Sequence, residues 1–166
     1  MNWSGITLQQ WESMASVETD DADERIAQYI TILFGIENPM DLPFADYARY
    51  TKELAFLGNE IEPAKLRSEY KVSGNTLHPL LNPGGISTGR FLDLMNSKTL
   101  TETIRSVIEE DASVEDIEQL SITDAMGIAR FFVNWEARWR QTSRWFLRRM
   151  MRRLKRKMKK HHRNGD

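Results

Sequence analysis

The segment GGISTGR is the part of this chain that comes closest to a catalytic loop. Gly84 and Gly89 have the spacing of a Walker A loop, which must continue with Lys and then Ser or Thr to contact phosphate and magnesium. Arg90 and Phe91 occupy those two places, so the hydroxyl that would bind magnesium is missing. The pattern therefore favours a turn followed by a helix, and it argues against a nucleotide site.

The residues that could bind a metal ion or transfer a proton are scattered along the chain. His78 has no second ligand at a helical spacing, and His161 and His162 end a cationic run that would repel a metal ion. The acids of residues 20–24 lack the glycine and the later Glu of a calcium loop, and they suit the N-terminus of a helix instead. Because the chain also has no cysteine, we expect no catalytic, cofactor-binding or metal-binding residues.

The charges are divided very unevenly. Residues 130–166 contain 14 Lys and Arg against 2 acids, whereas residues 1–129 contain 9 against 22. A basic end on an acidic body points to a polyanionic partner, to a membrane surface, or to the body itself. Apolar residues recur every three or four positions from Ile128 to about Lys160, which predicts one long basic amphipathic helix.

The candidate binding residues lie along this helix from Arg138 onward. Arg side chains and Trp rings alternate there, a combination that can neutralise phosphates and stack on bases. Trp135 and Trp139 continue the apolar stripe of Phe131 and Phe132, so we expect these two rings to pack on the body. The predicted partner-binding residues, for a polyanion or a protein, are Arg138, Arg140, Arg144, Trp145, Arg148, Arg149, Arg152, Arg153, Lys155, Arg156 and Lys157.

Local signals place the elements that carry these residues. Expected helix starts are Thr7 with Gln10, Asp21 before a helix over Ala22–Phe34 ended by Gly35, Pro43 as a first helical residue, Ser87 or Thr88, Thr101, and Ser121 with Asp124. A third helix marked by Phe44, Tyr47, Leu54 and Leu57 should end at Gly58. Two short runs, Tyr70–Val72 and Thr76–Leu77, predict a hairpin around Ser73-Gly74-Asn75.

The predicted fold class is mainly α: a small helical domain with one short β-hairpin and a long basic amphipathic C-terminal helix. Residues 1–127 form an acidic helical body with the hairpin near 69–78. Residues 128–166 form the long helix, which faces the core to about residue 140 and continues as a basic tail. No apolar run reaches the 18 residues of a membrane span, and the first residues lack the order of a signal peptide, so we expect a cytoplasmic protein.

Several segments together resemble small proteins from the tail and virion gene modules of tailed bacteriophages, especially those that infect Bacteroidota. The resemblance spans roughly residues 5–140, and its order is ITLQQWESM, ITILFGIE, LPFADY, AFLGNEIEP, the hairpin, ISTGRFLDLMN and ARFFVNW. It implies a non-enzymatic assembly or virion protein, similar to the tail assembly chaperones that hold the tape-measure protein. Such a protein would act in the host cytoplasm during assembly or remain in the virion. The basic end beyond Arg148 lies outside the resemblance.

Three hypotheses follow in order of preference. The first is a phage assembly or virion protein that binds a phage structural protein, with the tape-measure protein as a candidate. The second is a nucleic-acid-binding protein that uses the basic C-terminal helix with little sequence preference. The third is binding of that helix to an anionic membrane surface. The sequence leaves the oligomeric state open.

Overall fold

The structure, a computed structural model, describes residues 1–138 of the chain. It is mainly helical, with one two-stranded antiparallel hairpin. The helices are α1 (Leu8–Ala15), α2 (Ala22–Phe34), α3 (Phe44–Glu53), α4 (Thr88–Asn96), α5 (Leu100–Val107), α6 (Val114–Glu118) and α7, described over 122–138; the strands are β1 (Tyr70–Val72) and β2 (Asn75–Leu77). Short 3-10 turns cover Trp3–Gly5, Pro39–Asp41, Leu54–Gly58 and Pro83–Gly85.

The start of the chain is joined to the start of α7 by a short antiparallel bridge. The Leu8 N–H donates to the Leu120 carbonyl and the Ile122 N–H donates to the Ile6 carbonyl, both at 2.8 Å. Thr7 and Ser121 are the paired residues of this bridge. Each half of the bridge leads directly into a helix, so it fixes the position of α1 relative to the first residues of α7.

The core of residues 1–130 is built around α5. This helix contacts α1, α4 and α6, and Ile104 and Val107 have no exposed surface. Glu12 on α1 accepts hydrogen bonds from the N–H and the hydroxyl of Thr101, at 3.0 and 2.9 Å. The other almost completely buried apolar side chains of this unit include Ile6, Leu8, Ile30, Ile108, Ile117, Leu120, Ile122 and Ile128.

The predicted hairpin is confirmed. Ser73 and Gly74 form its two-residue turn, and both have positive φ angles, 47° and 86°, which suit the right-handed twist of the flanking strands. The chain then continues beside the end of α5: the Leu80 N–H donates to the Val107 carbonyl, and the Glu109 N–H donates to the His78 carbonyl. The hairpin therefore gains long-range support, which an isolated pair of short strands needs.

Most of the predicted helix starts are confirmed by hydrogen bonds. Thr7 and Gln10 form a reciprocal capping box, and Asp21 accepts bonds from two N–H groups at the start of α2. Helix α2 has the predicted bounds, with Gly35 in the left-handed conformation after it. The remaining confirmed caps are Ser87, bonded to the Arg90 N–H, and Ser121, bonded to the Asp124 N–H.

Three local predictions are wrong. Thr99, not Thr101, caps α5, because its hydroxyl accepts from the Glu102 N–H while Thr101 is buried against Glu12. Pro43 is the residue before the first turn of α3, since its ψ of 140° is extended. The expected helix ending at Gly58 tightens into a 3-10 turn after Glu53.

Helix α7 begins where the sequence predicts. Phe132 is 1% exposed, whereas Phe131 and Trp135 are half-buried. The rings of Phe131 and Phe132 meet edge to face, with centroids 5.1 Å apart. The predicted continuation to about Lys160, together with Trp139, lies outside the described residues.

Gly127 marks a close approach between α7 and the extended segment before the hairpin. The Ala64 N–H donates to the Thr123 carbonyl at 2.9 Å. A Cβ added at Gly127 would lie 2.3 Å from the Ala64 carbonyl oxygen. The glycine thus allows the backbone of this segment to lie directly on the helix.

We expect Gly127→Ala to lower the free energy of unfolding by about 1–3 kcal/mol, the usual cost of overpacking, despite the better helix propensity of alanine. Chemical denaturation measures the change. Gly58→Ala is the matched control, because no atom lies within 4 Å of the added Cβ, and it should change stability by less than about 0.5 kcal/mol. Equal stability of the wild type and Gly127→Ala would contradict this account.

Candidate functional site

Helix α4 has the features of a binding surface. Its sequence TGRFLDLMN contains four large apolar side chains, yet none of its residues is buried. Leu92 is 54% exposed and Met95 is 39% exposed. These two residues are three apart and therefore share a face of the helix. We define the α4 surface as the exposed residues Leu92, Asp93, Met95 and Asn96.

Polar contacts hold α4 in place at both ends. At its start, the guanidinium of Arg90 donates to the carbonyls of Ile108 and Glu109 at 2.5 and 3.3 Å. These carbonyls lie at the C-terminal end of α5, where a cation is favourable. At its end, the Ser97 hydroxyl hydrogen-bonds the Leu94 carbonyl and the Thr103 hydroxyl. These contacts fix both ends of the helix while Leu92 and Met95 stay exposed.

A polar groove of about 460 Å³ runs between α4 and α5 beside the α4 surface. Acids outnumber bases in its lining, so it suits a partner that supplies cations or hydrogen-bond donors. The side chains that line it are Arg90, Asp93, Asn96, Ser97, Glu102, Arg105, Ser106, Glu110 and Asp111. A partner that covered α4 would meet apolar and acidic groups together.

His78 and Glu110 form an ion pair next to this groove. The His78 N–H donates to Glu110 Oε2 at 3.0 Å, and the imidazole Nδ1 contacts Glu110 Oε1. The hydrogen bond to Glu110 raises the pKa of His78 above its ordinary 6.5, against a smaller effect of desolvation. Desolvation favours a higher pKa for Glu110, but the hydrogen bonds from His78 and its charge outweigh it and lower that pKa below 4.5.

The His78–Glu110 pair fastens the end of the hairpin to the end of α5. A carboxylate that orients an imidazole is also part of nucleophilic triads. Within residues 1–138, however, no hydroxyl is hydrogen-bonded to His78. We therefore interpret the pair as a structural contact that joins the residue after the hairpin to Glu110, which lines the groove.

A second groove, of about 680 Å³, lies between β1 and the start of α7. Arg67 and Asp124 form an ion pair there, and the hydrogen bond to Asp124 raises the pKa of Arg67. The Arg67 guanidinium also lies 4.8 Å from the centre of the Tyr70 ring. Because these groups already satisfy one another, this groove is a weaker candidate than the α4 surface.

The structure places only one of the sequence-predicted site residues. Arg138 lies on α7 and is exposed. The other predicted residues, Arg140, Arg144, Trp145, Arg148, Arg149, Arg152, Arg153, Lys155, Arg156 and Lys157, lie outside the described residues, so their proposed roles stay predictions. Sequence reasoning missed the His78–Glu110 pair, whose members are 32 positions apart, and it missed the groove between α4 and α5.

Among residues 1–138, no group of three or more His, Asp or Glu side chains could hold a metal ion. Over the same residues, no helix is both long and apolar enough to cross a bilayer.

No protein-family model matches this chain, and comparisons with curated proteins and with solved structures find no match either.

The His78–Glu110 pair should make stability depend on pH. A raised pKa means that the contribution of His78 is fully present below pH 6.5 and is lost as pH rises through its folded value. The contribution of Glu110 is present above pH 4.5 and is lost as pH falls through its lowered value. Thermal melts should therefore give a larger deficit for His78→Gln, relative to wild type, at pH 6 than at pH 9. A deficit independent of pH would contradict the ion pair. Thr76→Ser, a neutral change on the hairpin, should show no pH-dependent deficit.

Proposed function

We propose that this chain is a non-enzymatic assembly or virion protein of a tailed bacteriophage, of the tail-assembly-chaperone kind. In this proposal it binds another phage structural protein through the α4 surface, in the host cytoplasm or in the particle. The tape-measure protein is the first candidate partner. The proposal combines the resemblance of segments over residues 5–140 with the exposed apolar side chains of α4.

The observation that carries the proposal is that Leu92 and Met95 are 54% and 39% exposed on α4, a helix without a fully buried residue. Complete burial of an apolar side chain of this size is worth roughly 1.5–3 kcal/mol, and Leu92, which is 54% exposed, has about half of that gain left for a complex. The segment ISTGRFLDLMN, which contains all of α4, is also one of the segments that carry the resemblance. The groove beside α4 is lined by more acids than bases. It should therefore favour a partner that has Lys or Arg next to its apolar residues.

The test is co-purification of the tagged full chain from phage-infected cells, with tail proteins identified by mass spectrometry. We expect recovery of a phage structural protein by the wild type and a loss of at least about tenfold with Leu92→Asp, since the change places a charge in the apolar contact. Val133→Asp is the matched control, because Val133 is 59% exposed on a different helix, and it should retain the partner. Recovery of only host metabolic proteins would overturn the proposal.

Nucleic-acid binding through the basic end is the second candidate function. The 14 Lys and Arg within residues 130–166 favour it, since cations that neutralise phosphates release counterions. In this case affinity for single-stranded nucleic acid should fall steeply with salt. Replacing Arg148, Arg149, Arg152 and Arg153 by Gln should then reduce the salt dependence, whereas Leu92→Asp should leave it unchanged. Equal salt dependence before and after the Gln replacements would exclude this role for the basic end.

A further inference from the structure

Helix α3 and the residues just before it expose a second apolar surface. Phe44 is 85% exposed and Met40, just before the helix, is 70% exposed. None of the residues of α3 is buried. Large apolar side chains that protrude in this way commonly mark contact surfaces.

The inner face of α3 is already occupied. The Tyr50 ring packs on Phe34 of α2 with ring centroids 4.8 Å apart, and Tyr47 is half-buried close enough to Asp23 to feel its charge. These contacts fix the orientation of α3. They leave Phe44, Ala48 and Lys52 exposed.

Phe44, Ala48 and Lys52 are spaced four residues apart and form one face. Its centre is small, one end is aromatic and apolar, and the other end is cationic. The exposed acid Asp41 lies beyond the aromatic end. Two copies of this face can pair in antiparallel orientation, because the acidic and aromatic end of one copy then lies against the cationic end of the other.

We propose that this face is an interface between two copies of the chain, with the two α3 helices antiparallel about a two-fold axis at Ala48. Phe44 and Lys52 are eight residues apart, about 12 Å along the helix. Reversal about Ala48 therefore places the Phe44 ring of each copy against the Lys52 side chain of the other. Asp41 of each copy also approaches that cationic end.

Three physical contributions favour this arrangement. The Phe44 ring is removed from water and gains a cation–π contact with the lysine of the second copy. Ala48 allows the two backbones to approach at the short end of the usual 8–10 Å between helix axes. The antiparallel helix dipoles and the Asp41–Lys52 charges are also attractive. Such a two-fold contact is closed and stops at a dimer.

The size of α3 limits the strength of this dimer. A helix of ten residues is about 15 Å long, so pairing through α3 alone buries less than the roughly 1,200 Å² of a standard interface. We therefore expect a dissociation constant on the order of 10–100 μM, equivalent to about 5–7 kcal/mol. The proposal is independent of the α4 surface, because it uses a different helix and a different partner.

Sedimentation velocity of the full chain over a range of about 5–300 μM, which brackets the expected constant, tests the association. The wild type should shift from monomer to dimer within this range. Phe44→Ser should weaken the dimer at least about tenfold, whereas Leu92→Ser, an equivalent change on α4, should leave it unchanged. A monomeric wild type at the highest concentration, a stable Phe44→Ser dimer, or an equal loss with Leu92→Ser would each overturn the proposal.

Because the chain has no cysteine, introduced thiols report the geometry directly. A disulfide requires Cα atoms about 4.4–6.8 Å apart, which the axis position satisfies. Under mild oxidation Ala48→Cys should form a disulfide-linked dimer, and adding Phe44→Ser should slow its formation. Glu53→Cys, exposed on the same helix but about 140° around it from Ala48, should cross-link much more slowly. Equal rates at the two positions would exclude an axis at Ala48.

Discussion

Two hydrogen bonds between the first residues of the chain and the start of α7 hold the body in its arrangement. The N–H groups of Leu8 and Ile122 donate them, and both side chains lie completely inside the core. A buried backbone group must be paired, so this short bridge cannot shift without leaving donors unsatisfied. Since α1 and α7 both start at the bridge, the positions of α5 and α6, which contact α1, depend on it as well.

This core leaves two helices at the surface with little apolar burial of their own. The Arg90 and Ser97 contacts hold α4, and the Tyr50–Phe34 contact holds α3. The two helices resemble each other in burying no residue, but their exposed faces differ in chemistry. The α4 surface borders an acidic groove and is proposed to bind a different protein, whereas the α3 face is proposed to bind a second copy of the chain. The physical basis of the proposed function is thus apolar surface presented on a fixed core.

The sequence predicts the local features of this fold well, because caps and turns depend on neighbouring residues. Thr7 with Gln10, Asp21 and the Ser73-Gly74 turn each show their signal within four positions. Thr101 has a cap-forming side chain, which is why the sequence predicts it as the cap of α5. In the structure its hydroxyl donates instead to Glu12, which is 89 positions away. The His78–Glu110 pair and the Thr7–Ser121 bridge likewise join distant segments. A periodic pattern cannot reveal such contacts, and neither can it distinguish Phe44, which is exposed, from a core residue.

Native-state hydrogen exchange, followed amide by amide, tests the central claim that a fixed core presents two weakly packed helices. Amides of residues whose side chains are fully buried should exchange only through global unfolding. Amides in helices with little burial should exchange through local opening, which costs less free energy than global unfolding. We therefore expect the Leu8 and Ile122 amides to report the global free energy of unfolding, while interior amides of α3 and α4 exchange through smaller openings. The account would be contradicted if the Leu8 and Ile122 amides exchanged faster than the interior amides of α3 and α4, or if all of these amides were equally protected.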